Sequence, residues 1–166
     1  MRCSLGKEPK IPVELALYQP DIPQNTGAVL RLGACLGMRV HIIHPTGFLF
    51  SRQAMRRGGL DYLDHADFVE HASYRDFSLW RRQADRRMVL LSTKATRSAY
   101  GIGYGADDVL MVGRESAGVP EDVAADADLR VRIPMRQDMR SLNVAIAMSL
   151  VLGEALRQTG GFSALT

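Results

Sequence analysis

The stretch 107–156, DDVLMVGRESAGVPEDVAADADLRVRIPMRQDMRSLNVAIAMSLVLGEAL, decides how this chain is read. An apolar run, Val109–Val112, enters a glycine-bearing turn, Gly113–Pro120. A short helix over Glu121–Ala125 and an edge-like strand over Leu129–Ile133 follow. The polar loop Pro134–Arg140 then leads into a helix over Ser141–Gln158, with Ser141 as its natural N-cap. Ala145, Ala147, Ser149 and Gly153 give that helix small side chains, suited to a buried core or to close packing in a dimer. Strand, glycine turn and helix start together make a place where backbone amides and carbonyls can grip a small molecule.

Outward from this segment, short apolar strands alternate with helices. Val13–Tyr18, Arg39–His44, Phe68–Glu70 and Met88–Ser92 read as strands, and 93–105 as a polar, glycine-containing loop. A helix is expected from Thr26 to about Leu36, capped by Asn25 and closed by Gly37. Another runs over Tyr74–Asp85, and a short basic helix over Ser51–Arg57 ends at the Gly58-Gly59 break. The alternation predicts an α/β fold with a mostly parallel sheet and helices on both faces. Residues 1–12, carrying Pro9 and Pro12, read as a tail, and 13–166 as one domain. Unusual residues gather at the strand ends, and ligands of open α/β sheets bind beyond the carboxyl ends of the strands.

Composition narrows the classes. With 166 residues, 46% hydrophobic and 23% charged, the chain is an ordinary globular one. The uncharged stretch Ser141–Gly153 is 13 residues long, too short to span a bilayer, and the start shows no signal-peptide core. Cys3 and Cys35 form no disulfide framework, so a cytoplasmic location is expected. The net charge of +3 leans towards a polyanionic partner, and 18 Arg stand against 3 Lys. Arginine suits phosphates and bases, although a coding bias gives the same count.

Three stretches carry chemistry. Gly113–Pro120 is neither GxxxxGK[ST] nor GxGxxG, and alone it reads as a tight turn. Pro134–Asn143 offers a helix start. In Pro23-Gln24-Asn25-Thr26-Gly27, Arg31 follows as the only charge between Asp21 and Arg39, either functional or a surface ion pair. His41, His44, His65 and His71 have no metal spacing, so no metal is expected, and no nucleophile–base arrangement stands out.

In order along the chain, Leu17–Gly27 with Arg31-Leu32, Met111–Pro120, and Ile133-Pro134-Met135 with Ser141-Leu142-Asn143 resemble the three signature motifs of the SPOUT (α/β-knot) RNA methyltransferases. His41–Pro45 with Gly47-Phe48, and Arg57–Tyr62, also match. Within that superfamily the chain is similar, over residues 13–159, to small tRNA 2′-O-methyltransferases that modify the wobble nucleotide, position 34, a cytidine or modified uridine. The resemblance implies a C-terminal deep trefoil knot, where periodicity alone gives an unknotted sheet. It also implies a homodimer, a tRNA substrate, and S-adenosylmethionine as cofactor.

Carried over by motif, Leu91, Ser92, Thr93, Gly113, Glu115, Gly118, Ile133, Met135, Ser141 and Leu142 would contact the cofactor. Arg31 matches the catalytic arginine, with Asn25, Ser141 and Asn143 positioning nearby groups. A guanidinium keeps its proton at physiological pH, which favours an orienting role over proton abstraction. Arg52, Arg56, Arg57, Arg136 and Arg140 are candidate tRNA phosphate contacts, or plain solvated charge. Two positions depart from close relatives: Gly153, where an aromatic residue is common, and Ala28, where Asn is. Action on another tRNA position or on rRNA, a non-catalytic RNA-binding homologue, and a small-molecule methyltransferase are the alternatives.

Overall fold

The computed structural model describes residues 12–57 and 61–165. The expected tail up to residue 11, Cys3, the Gly58-Gly59 break and Leu60 lie outside the described residues. In chain order the elements are β1 (Glu14–Tyr18), α1 (Pro23–Leu36), β2 (Val40–Ile43), α2 (Arg52–Arg57), a 3-10 turn (Asp61–Asp64), β3 (Phe68–His71) and α3 (Tyr74–Gln83). They continue with β4 (Arg87–Leu91), β5 (Arg97–Ser98), β6 (Asp108–Val112), α4 (Glu121–Asp126), β7 (Leu129–Arg132), α5 (Val144–Thr159) and a closing 3-10 turn (Gly161–Ala164). The seven strands lie in the order β3-β2-β1-β6-β4-β7-β5, and every pairing in that sheet is parallel.

The central strands are buried on both sides, which is why they read as continuous apolar runs. Along β1, Leu15 and Leu17 point into a core shared with Val29 and Leu30 of α1 and Met148, Val151 and Leu152 of α5. Ala16 and Tyr18 point the other way, into a core closed by Phe77 of α3 and Val123 of α4. Helices therefore cover both faces. Leu15 pairs with Leu110 on one side and Val40 on the other, so the sheet's centre joins residues far apart in sequence.

Several boundaries differ from the sequence reading, each for a local reason. Helix α1 begins at Pro23 after an extended Ile22, not at Thr26. Proline at the first helical position has no N–H to satisfy, so no side-chain cap is required and Asn25 lies inside the helix. Helix α5 begins at Val144 and is capped by Asn143, whose Oδ1 accepts from the amides of Ala145 (2.9 Å) and Ile146 (3.3 Å). Ser141 is therefore not the cap. Strand β7 is not an edge strand: it sits between β4 and β5, and the edge is the two-residue β5 inside the expected polar loop.

One buried polar chain was not foreseen. The Glu14 carboxylate meets His41 Nε2 at 2.6 Å and Arg86 at 3.0 Å, and His41 Nδ1 meets His71 Nε2 at 2.8 Å. His41 also lies 4.1 Å, ring centroid to ring centroid, from Trp80. Burial, and then the neighbouring His41, push His71 down to about 4. Among the described residues, no helix is long and apolar enough to cross a membrane.

Candidate functional site

The loops leaving β4, β6 and β7 at their carboxyl ends enclose a cavity of about 490 Å³. Its apolar wall is Leu91, Val112, Val131, Ile133, Met135, Met139, Leu142 and Ala147, and Ser92, Thr93, Arg136 and Arg140 supply polar groups. A second, larger basin of about 820 Å³ adjoins it, sharing Leu91, Ser92, Thr93 and Arg140 and adding Gly113, Glu115, Gly118 and Ser141. The Gly113–Gly118 turn is drawn tight by two backbone hydrogen bonds between Arg114 and Gly118, 2.9 and 2.8 Å long. A Cβ on Gly113 would stand 2.5 Å from the carbonyl carbon of Gly118, so only glycine fits there. Gly118 itself has φ +66°, the left-handed conformation glycine tolerates.

A hydrogen-bonded junction at the rim ties the three motif stretches together. Asn143 Nδ2 donates to Asn25 Oδ1 at 2.8 Å, and Asn25 Nδ2 donates to Glu115 Oε1 at 3.3 Å. The Asp21 amide donates to Glu115 Oε2 at 3.0 Å, the Glu115 amide returns a bond to Asp21 Oδ1 at 3.1 Å, and the Ser116 hydroxyl also donates to Asp21. The hydrogen bond with the Glu115 carboxyl, foremost, holds Asp21 down at about 2. Burial, and then that same bond, raise Glu115. Asn143 thus caps α5 with one atom and anchors α1 with another.

All ten residues expected at the cofactor border one of the two spaces: Ile133, Met135 and Leu142 the first, Gly113, Glu115, Gly118 and Ser141 the second, and Leu91, Ser92 and Thr93 both. Of the four expected catalytic residues, Asn25 and Asn143 meet at the junction, and Ser141 lies on the basin's wall. Arg31 borders neither space. It projects from the exposed side of α1, where its guanidinium stacks 4.4 Å from the ring centre of Tyr62 and donates to the Tyr62 hydroxyl at 3.2 Å.

Arg136 and Arg140 are exposed and border the cavity, whereas Arg52, Arg56 and Arg57 lie on the separate α2 segment. Arg56 is ion-paired with Asp64, and Arg136 with Asp138. Sequence reasoning named no role for Asp21, Ser116 or Tyr62, although all three stood inside quoted motif stretches. A carboxylate beside proline turns was the available signal for Asp21. Among the described residues, no three or more His, Cys, Asp or Glu side chains are grouped to hold a metal ion.

A parallel α/β sheet with an apolar cavity and a glycine turn past its strand ends belongs to the class of open α/β proteins that bind a small ligand beyond the carboxyl ends of their strands. The SpoU rRNA Methylase family matches residues 12–153, and the chain belongs to that family. It is 56% identical to the tRNA (cytidine(34)-2′-O)-methyltransferase of Beijerinckia indica, over 90% of this chain and 93% of the relative. Among solved structures, one described as structural insights into the 2-OH methylation of C/U34 on tRNA superposes with a TM-score of 0.83 at 39% identity, covering 90% of this chain and 97% of the other. An AdoMet-bound rRNA methyltransferase from Sinorhizobium meliloti superposes with a TM-score of 0.76 at 29% identity, covering 88% of this chain and 56% of that one.

Proposed function

We infer that the protein is a tRNA 2′-O-methyltransferase that methylates the ribose of the wobble nucleotide, position 34, using S-adenosylmethionine. The observation that carries this reading is the Asn143–Asn25–Glu115 junction at the rim of an apolar cavity, in a chain 56% identical to a relative of that name. The cavity fits the cofactor: about 490 Å³ with mostly apolar walls suits an adenosyl group. When bound, S-adenosylmethionine supplies an electrophilic methyl group on a positively charged sulfur. Leu91, Ile133, Met135 and Leu142 would wall the adenine, Ser92 and Thr93 the rim, and Gly113, Glu115, Gly118 and Ser141 the tail.

The chain's own task is orientation, since methyl transfer needs the 2′-oxygen in line with the methyl group. The Asn25–Asn143 pair fixes the rim, and Ser141 offers a hydroxyl there. Arg31 orients the ribose and its phosphate through a planar fork. Because Arg31 borders neither space of its own chain, the reading is completed by a homodimer in which a second copy's α1 comes to the site. Exposed Ile146 and Leu150 on α5, with Ile22 on the approach to α1, give such an interface its apolar surface. Ala28 and Gly153, the two departures from the usual residues, are both small and accessible, and a Cβ on Gly153 would meet nothing within 4 Å. Arg136 and Arg140 beside the cavity, with Arg52, Arg56 and Arg57 further off, would take tRNA phosphates. The same reading makes residues 13–166 a single cytoplasmic domain whose C-terminal segment is threaded as a trefoil knot.

The test supplies labelled S-adenosylmethionine and tRNA lacking the modification, then maps the labelled nucleotide. Label confined to the wobble ribose is the expected result, and label elsewhere would overturn the substrate assignment. Arg31→Lys keeps the charge but loses the fork, so a rate loss of about tenfold or more is expected with cofactor binding intact.

A further inference from the structure

We propose that Tyr62 is a positioning residue for methyl transfer: it holds the Arg31 guanidinium in one orientation while leaving its charge uncompensated. This rests on the reading of Arg31 given above. Most ion-paired arginines outside the core are tied to carboxylates, as Arg39 is to Asp67 and Arg157 to Glu154. Arg31 is tied instead to a neutral ring, stacked 4.4 Å from its centre and bonded to its hydroxyl at 3.2 Å, with no carboxylate in ion-pair range among the described side chains, which do not include that of Asp61. A carboxylate clamp would order the side chain but cancel the charge that an RNA phosphate needs. An aromatic clamp orders it by stacking and keeps the charge. A free arginine samples many rotamers, so fixing it in advance lowers the entropy lost when substrate arrives.

The clamp stands on a built platform. Tyr62 lies in the Asp61–Asp64 turn beside buried Leu63. Arg52, from α2, donates to the Leu63 carbonyl at 3.3 Å and stacks 4.6 Å from the Phe68 ring centre, and Arg56 pairs with Asp64. Buried Met55 pins α2 beneath. The segment between β2 and β3, the loosest part of the chain in sequence, thus ends in a turn fixed at several points and aimed at α1. Arg52 and Arg56, proposed above as tRNA phosphate contacts, also brace that turn.

The test compares Tyr62→Phe, Tyr62→Leu and Arg31→Ala in the full-length protein under single-turnover methylation, with KM values for tRNA and S-adenosylmethionine. The Arg31 Nε–H signal is followed by NMR, assigned by its loss in Arg31→Ala. Tyr62→Phe keeps the stack and loses the hydrogen bond, so kcat should fall about threefold, and Tyr62→Leu loses both and should fall about tenfold. Both KM values should stay within about twofold of the parent, and the Nε–H signal should broaden or average only in Tyr62→Leu. The proposal is overturned if Tyr62→Leu leaves kcat unchanged while Arg31→Ala abolishes turnover. It is equally overturned if Tyr62→Leu raises the KM for tRNA alone, which would make Tyr62 a direct RNA contact. Arg31→Ala with near-parent turnover would refute the role of Arg31 itself, a separate outcome. The Phe variant tests the hydrogen bond even if the Leu variant unfolds.

Discussion

Gly113→Ala is the sharpest probe of the backbone-lined site. The added methyl would sit 2.5, 2.7 and 2.8 Å from the carbonyl carbon, Cα and carbonyl oxygen of Gly118, all backbone atoms that cannot rotate away. Relieving the clash means parting the two strands of the turn, and with them the Arg114–Gly118 hydrogen bonds of 2.9 and 2.8 Å. Overpacking costs about 1–3 kcal/mol, and each lost backbone bond about 1 kcal/mol. The sum, roughly 3–5 kcal/mol, lowers the melting temperature of a chain this size by about 6–20 °C at ~2–4 °C per kcal/mol. The same displacement moves Glu115 off Asn25, so affinity for S-adenosylhomocysteine, read by calorimetry, should drop about tenfold or more. Gly153→Ala is the internal control: its Cβ meets nothing within 4 Å, and alanine in a helix interior is worth about 0.5–1 kcal/mol over glycine. That variant should melt level with or above the parent. A Gly113→Ala protein that melts within about 2 °C of the parent and binds the product normally would refute the argument.

Asn143→Ala removes the α5 cap and the bond to Asn25 together, so a loss of about 1–2 kcal/mol and a few degrees of melting temperature is expected by calorimetry, whereas Ser141→Ala should leave stability within about 0.5 kcal/mol. His71, held at about 4 against an ordinary 6.5, makes stability depend on pH. Between those values the unfolded chain takes up a proton that the folded chain does not, so stability is full above about pH 6.5 and falls as pH drops towards 4. The slope reaches up to about 1.4 kcal/mol per pH unit, visible in melts run at several pH values. His71→Gln, which keeps a hydrogen-bond partner for His41, should flatten it, and an unchanged slope would assign the acid sensitivity to another group. Glu14→Gln leaves Arg86 buried without its carboxylate, and a loss of about 3–5 kcal/mol should show as a shifted urea midpoint.

Much of the fold is legible in the residues because the central strands are buried on both faces. VELALY, MVLLS and VLMV could be little else, and the turns between them carry proline and glycine. Strand order was not legible, since β1 beside β6 is a contact between residues nearly a hundred positions apart that leaves no local trace. Leu129–Ile133 read as edge-like, yet β7 lies between β4 and β5, and its Arg130 and Arg132 are exposed on one face while Val131 is buried on the other. Helix starts were misplaced where two signals competed. Asn25 is a good cap residue, but Pro23 opens the helix without one, which frees Asn25 for Glu115 and Asn143. Ser141 likewise lost the cap to Asn143, two residues on. The Glu14–His41–His71 chain had a signal that went unread: an acid and a histidine in otherwise apolar strands. The Tyr62 clamp had none beyond its place in a motif, because stacking between α1 and a distant turn has no period.

The pairing of β1 with β6 also bears on how the chain is made. Leu15 leaves the ribosome long before its partner Leu110, and at about 5–20 residues per second the wait is roughly 5–20 s. During that interval the nascent β1–α1–β2 unit carries an open strand edge of Glu14-Leu15-Ala16-Leu17-Tyr18, apolar on both faces once folded and unprotected until β6 emerges. An unpaired edge of that kind templates aggregation. The protein's yield in cells should therefore follow chaperone supply and translation speed through residues 20–110 more closely than the melting temperature of the finished fold.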